Sequence, residues 1–192
     1  MFPIQLNTRF ALCTLLACAS SVSAHADQKL LPAQSEITFV SKQMGVPVEG
    51  HFKKFDAQIA FDPAKPEASK IAFTIDIASA TLGMPEADAE LPKATWFNTA
   101  KFPQATFQSS AIKSLGGGKF EVTGKLAIKG NSHDAVVPVT LAQSGANTIA
   151  SGAWTIKRLV YKIGENEWAD TSMVADEVQV KFKLALSGVG KF

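Results

Sequence analysis

Large apolar residues recur at every second position through most of this chain. In Ile71-Ala72-Phe73-Thr74-Ile75-Asp76-Ile77-Ala78 the bulky side chains are Ile71, Phe73, Ile75 and Ile77, with small or polar residues between them. A period of two places such a set on one face of a β-strand, whereas a helix would scatter the four around its axis. The rhythm returns in Phe120, Val122, Leu126 and Ile128, and in Val178, Val180, Phe182, Leu184 and Leu186. Strands are predicted over 35–42, 48–61, 71–78, 106–112, 120–129, 135–142, 147–157 and 174–186.

Two interruptions carry information. Phe55, Ala57, Ile59 and Phe61 alternate, but Phe52 stands three residues before Phe55. The odd step predicts a β-bulge at Lys53-Lys54, and a bent long strand suits a closed barrel. Residues 82–98 lose the alternation: Glu86, Asp88 and Glu90 precede Leu91, then Trp96 and Phe97 form a bulky pair. A short helix and loop are predicted there, covering one barrel end. The acids suit a helix start and lack the spacing of a calcium loop. Leu115-Gly116-Gly117-Gly118-Lys119 reads as a hairpin turn, since no helical pattern follows it to make a phosphate cradle. The expected fold is all-β, antiparallel, with about eight strands and one short helical insertion. Sandwich and barrel both fit the pattern, and the long strands with the bulge favour the barrel.

The first residues have a different pattern. Arg9 precedes the apolar run 10–19, and Ala24-His25-Ala26 offers a small-x-small cleavage site. This reads as a secretory signal peptide over 1–26, cleaved near Ala26-Asp27, leaving 27–192 as one domain. A lipobox reading, with Cys18 as the acylated residue, is the alternative. Both cysteines, Cys13 and Cys18, leave with the leader, so the remaining chain has no disulfide, cysteine ligand or cysteine nucleophile. Loss of Arg9 lowers the formal net charge from +2 by one. That near-neutral balance argues against nucleic acid as a partner. No second apolar run is long enough for a transmembrane helix.

Candidate chemistry is sparse. Ser132-His133-Asp134 has the ingredients of a triad, but neighbours along a strand diverge where a triad must converge. Only His51 and His133 remain after the leader, and no local spacing marks a metal site. Arg158 follows an apolar strand; it could donate to a ligand head group or pair with Glu165 or Asp176. Tyr161 lies between Trp154 and Trp168 in the sequence, which fits either an amphipathic rim or ordinary packing. The inward apolar stripes likewise fit a filled, dry core when read alone.

The run Met44-Gly45, Gly50-His51-Phe52, Phe55 and Phe61-Asp62 resembles the opening of the YceI-like lipid- and polyisoprenoid-binding domain. Leu91 to Phe97, Lys101-Phe102-Pro103-Gln104-Ala105-Thr106-Phe107-Gln108-Ser109, the run from Val122 to Gly130, Thr155-Ile156-Lys157-Arg158 and Ile163-Gly164 continue the match in order, from about Lys29 to Leu186. The chain departs from the family pattern at Gln34 and Gln43, where histidines are frequent, and at Val160, where an acid is frequent.

The resemblance implies an extended lipocalin-like antiparallel β-barrel, periplasmic and non-catalytic, whose interior holds a polyisoprenoid or an isoprenoid quinone. A membrane b-type cytochrome is the implied partner for a quinone cargo. No cofactor is expected, and the oligomeric state is left open, a homodimer included. On this reading the lining comprises Phe39, Phe52, Phe55, Ile59, Phe61, Ile71, Phe73, Ile75, Ile77, Trp96, Phe97, Phe107, Leu126, Ile128, Trp154 and Ile156, with Arg158 and Tyr161 near the entrance. Two other functions stay open: a protein-binding or stress-response module with a filled core, and a lipid or amide hydrolase using Ser132 and His133.

Overall fold

The computed structural model describes residues 28–192. The leader, its cleavage site, Cys13 and Cys18 lie outside the described residues. Eleven strands form a single sheet in which every pairing is antiparallel. In chain order they are β1 (Lys29–Leu30), β2 (Glu36–Gln43), β3 (Val46–Phe52), β4 (Phe55–Ala60), β5 (Lys70–Asp76) and β6 (Ala80–Thr81), then β7 (Gln104–Gly116), β8 (Lys119–Ile128), β9 (Asn131–Ser144), β10 (Asn147–Lys157) and β11 (Glu177–Ser187). One α-helix, α1 (Pro85–Glu90), interrupts them. Apart from the two-residue strands β1 and β6, these are the alternating runs of the sequence, with β3 and β4 as the two halves of one run.

The sheet runs β4-β5-β7-β8-β9-β10-β11-β2-β3-β6. Its path curls back on itself because β3 and β4 are consecutive in the chain. Gly50 of β3 faces Phe39 of β2, while Phe55 of β4 faces Ile75 of β5. The expected bulge at Lys53-Lys54 is therefore a break at which the run changes partner. A bulge leaves one residue over in a continuing ladder; here the ladder itself ends. The freed main-chain groups are recovered locally: Lys53 N donates to Ser79 O (3.2 Å) and Lys54 N to Ser79 Oγ (3.0 Å). Asp76 N donates to Lys54 O (3.0 Å).

β1 closes the seam at the other side of β4. Lys29 and Leu30 pair with the end of β11. Just before them, the Gln28 amide donates to Phe61 O (2.6 Å) and accepts from Phe61 N (2.8 Å). Several predicted strand ends differ from those observed: β7 and β9 extend beyond the predicted 106–112 and 135–142 at both ends, and two others fall short. β5 stops at Asp76, whose carboxylate accepts from Ala78 N and turns 77–79 into a 3-10 helix. Val174, predicted to open the last strand, makes only an isolated bridge with Gln43.

Most of the buried apolar residues fall into three clusters. One joins Leu30, Phe61, Ile112, Phe120, Val122, Leu141, Ala150 and Leu186, with Phe61 edge-on to Phe120 at 5.2 Å. The second centres on Ile77, Ala105, Leu126, Ile128, Tyr161 and Ile163, and the third on Ile37, Phe39 and Val180. Half-buried residues bridge them: Phe73 packs against the first and third, Phe107 against the first and second, and Phe52, Ile75 and Ile156 against the second and third.

Replacing Gln28 by Ala removes both seam bonds to Phe61. The expected loss is about 1–2 kcal/mol, the usual worth of two such bonds, with faster hydrogen exchange at the Phe61 amide than at β8 amides.

Candidate functional site

The three clusters surround a hollow of about 360 Å³, bordered by residues of all three. A single water needs only about 15 Å³ by this kind of measure, so the hollow is no packing flaw. Its size falls in the range of small-molecule sites, roughly 300–1,000 Å³. The wall is apolar almost throughout; beyond the indoles, its only polar side chains are Ser41, Gln43, Glu90, Thr106 and Arg158.

The wall follows from strand alternation combined with glycines. Gly50 lies opposite Phe39 and Gly152 opposite Phe182. A Cβ on Gly50 would stand 2.3 Å from the Phe39 ring, and one on Gly152 2.6 Å from the Phe182 ring. Gly124, opposite Ser109, is covered diagonally by Phe107 at 2.6 Å, with the Gln108 carbonyl at 2.4 Å. Each ring occupies the place of the missing side chain, a pairing known to stabilise glycine in sheets. These large lining residues therefore lie against the wall, and the middle stays open.

The end cap comes from two irregular segments. In the insertion, Ala87, Glu90, Leu91, Trp96 and Phe97 all border the hollow. The helix is pinned by Asp88, which accepts from Thr81 Oγ1 (2.5 Å) and Leu82 N (2.5 Å). Those two bonds, the Thr81 one first, hold the Asp88 carboxyl below its ordinary range. The insertion docks on residues 158–176: Thr95 O accepts from Gly164 N (2.9 Å) and Glu165 N (2.8 Å), and Trp96 lies 5.4 Å from Trp168.

Arg158 organises the second segment. It is 2% exposed. Its Nε donates to Ala175 O (3.0 Å), Nη1 to Ile163 O (2.8 Å) and Gly164 O (3.0 Å), and Nη2 to Trp168 O (2.6 Å) and Val174 O (2.6 Å). A guanidinium has five N–H groups, so all are engaged. Burial pushes the Arg158 pKa down while Asp176 acts in the opposite direction. Both sequence expectations for this residue are thus corrected. It has no donor left for a head group, and it forms no ion pair with Glu165 or Asp176. Glu165 pairs instead with Lys129 (2.7 Å), whose hydrogen bond holds the carboxyl low, and Asp176 accepts from Leu159 N (2.9 Å).

Of the other expected lining residues, Phe39, Phe52, Ile59, Phe61, Ile71, Phe73, Ile75, Ile77, Trp96, Phe97, Phe107, Leu126, Ile128, Trp154 and Ile156 all border the hollow. Phe55 does not. It follows the break directly and stacks on Phe73 at 6.0 Å. Tyr161 does not either: it packs in the second cluster, edge-on to His133 at 5.2 Å, and burial raises its pKa. The rim expected around Tyr161 reduces to Trp154 and Trp168, which border the hollow. Sequence reasoning missed Ser41 and Gln43, although a two-residue step from Ile37 and Phe39 leads to both. It also left the β9 and β11 stripes out of the lining, including Val137, Val139, Val180 and Phe182.

The Ser132-His133-Asp134 segment lies within β9, so its side chains alternate in direction. His133 meets Tyr161, and Asp134 pairs with Lys125 (2.8 Å), which holds its carboxyl low. The three groups do not converge. Two buried indole N–H groups, of Trp96 and Trp154, have no hydrogen-bond acceptor.

Comparisons with known proteins agree with this architecture. The YceI-like domain family matches residues 29–186. The crystal structure of Burkholderia cenocepacia BcnA is 50% identical with a TM-score of 0.79, over 81% of this chain and 98% of that one. A YCEI protein from Campylobacter jejuni is 28% identical with a TM-score of 0.66, over 72% and 83%. A polyisoprenoid binding domain from Saccharophagus degradans shares the fold at 17% identity, with a TM-score of 0.67 over 85% and 99%. A UPF0312 protein of Azotobacter vinelandii is 38% identical over 96 residues, 50% of each chain. The chain thus spans about half the length of the curated relatives it matches.

Two substitutions test the site's construction. Arg158→Lys leaves at least two of five buried carbonyls unserved. The expected loss is about 2–5 kcal/mol, read as a lower melting temperature and faster exchange across 163–176. Gly50→Ala drives the Phe39 ring off its seat at a cost of about 1–3 kcal/mol. Adding Phe39→Leu recovers part of that stability, because the Thr81 carbonyl still lies 2.8 Å from the new Cβ, and a double-mutant cycle measures the recovered share.

Proposed function

The chain belongs to the YceI-like domain family, and from that premise we propose that it is a non-catalytic carrier holding a long isoprenoid chain inside the barrel. The cargo is a polyisoprenoid or an isoprenoid quinone. The observation that carries this reading is the apolar hollow of about 360 Å³ between three cores. A wall of aliphatic and aromatic side chains offers dispersion contact and little hydrogen bonding, which suits a hydrocarbon chain. The hollow also weighs against a protein-binding module with a filled interior, which needs the opposing side chains to meet.

On this reading residues 1–26 serve as a leader and 27–192 as the barrel, and the carrier works in the periplasm. Among the described residues no helix is long and apolar enough to cross a membrane, and the protein would exchange its load at a bilayer surface. A membrane b-type cytochrome is the partner class that a quinone cargo would serve.

Gentle purification followed by native mass spectrometry and solvent extraction tests the reading. The expected result is a prenyl lipid bound one per chain, or uptake of added prenyl lipid by stripped protein. Protein that is consistently empty and takes up no added prenyl lipid would sink the proposal.

A further inference from the structure

The carrier reading, on which this inference rests, leaves the cargo's head group open. The charges around the hollow bear on it directly. Arg158 is the one positively charged residue on the wall, and each of its five N–H groups is engaged by a main-chain carbonyl. Glu90 also borders the hollow, and Lys93, bonded to its Oε1, offsets its charge. Among the described residues the wall therefore offers a phosphate or carboxylate no unpaired cation, and burying an unpaired charge is costly.

The neutral polar groups have the opposite character. Along β2 the inward positions run Ile37, Phe39, Ser41, Gln43, so the wall turns from apolar to polar. Gln43 bridges Val174, whose carbonyl is one of the five around Arg158, so both residues border the same end. Among the described residues neither the Ser41 hydroxyl nor the Gln43 side-chain amide hydrogen-bonds within the protein. An amide supplies both donors and an acceptor. It can therefore satisfy a hydroxyl or a quinone carbonyl without any charge.

We propose that the polar end of the hollow accepts an uncharged hydrogen-bonding head, an alcohol or a quinone carbonyl, and discriminates against phosphate and carboxylate heads. Gln43 contacts the head, and an anionic head finds no unpaired cation on the wall. The test uses two probes with the same prenyl chain, geranylgeraniol and geranylgeranyl phosphate, added to lipid-stripped full-length protein. Binding is followed by quenching of the lining tryptophans Trp96, Trp154 and Trp168.

The alcohol should bind at least about tenfold more tightly, a difference of about 1.4 kcal/mol. Glu90→Lys should narrow or invert that preference. Gln43→Leu should weaken the alcohol severalfold while leaving the head-free hydrocarbon squalene unaffected. Equal binding of the two probes, or tighter binding of the phosphate, overturns the head-group assignment and leaves the carrier reading intact. So does a preference unchanged in both variants. If no prenyl probe binds at all, the carrier reading fails and takes this assignment with it.

Discussion

The interior of this barrel depends on opposing walls not meeting. An antiparallel sheet of this length carries enough large side chains to fill a small barrel, as in many proteins of similar size. Here Phe39, Phe107 and Phe182 are each folded over a strand glycine, at Gly50, Gly124 and Gly152. A phenyl ring laid on its own wall buries its area against the main chain and reaches less far toward the axis. The glycines weaken their strands locally, and the covering rings offset that loss by shielding the exposed backbone. Sheet stability and the open hollow thus come from the same contacts.

A hollow of this kind moves the polar construction to its ends. Filling cannot hold the ends together, so main-chain hydrogen bonds do. The Arg158 guanidinium gathers carbonyls from residues 163–175 into one fixed cap, and Lys129 ties the same segment through Lys162 O and Glu165. The insertion then rests on that cap through Thr95 O and the Trp96–Trp168 contact.

Much of this was legible in the sequence, because strand alternation is local. The eight long runs, an interruption at Lys53-Lys54 (though read as a bulge rather than a change of partner), the helical insertion and most of the lining follow from spacing between near neighbours. What the sequence concealed depends on contacts across strands or on main-chain groups. The seat of Phe182 on Gly152 requires the register of β10 against β11. The role of Arg158 is invisible because its acceptors are backbone carbonyls, which every residue possesses. Phe55 obeys the alternation yet leaves the wall, since the strand changes partner immediately before it. The polarity of Ser41 and Gln43 was in plain view, but it matters only once β2 is known to border the polar end.

The energetics of cargo follow from the same wall. Each buried methylene is worth about 0.8 kcal/mol against water. A prenyl segment of ~20 heavy atoms, about what the hollow has room for, would at roughly 0.3 kcal/mol per atom gain about 6 kcal/mol on entering it from water. Such a chain does not start in water. In a bilayer it already has nearly all of that hydrophobic stabilisation, and the apolar wall adds little that lipid tails do not. For a prenyl cargo the difference between membrane and barrel would then lie in the few groups that lipid tails lack, the Gln43 amide and the Ser41 hydroxyl. On the proposed reading, an almost wholly apolar wall would set a near-balanced exchange with the membrane, and its small polar end would decide which molecules take part.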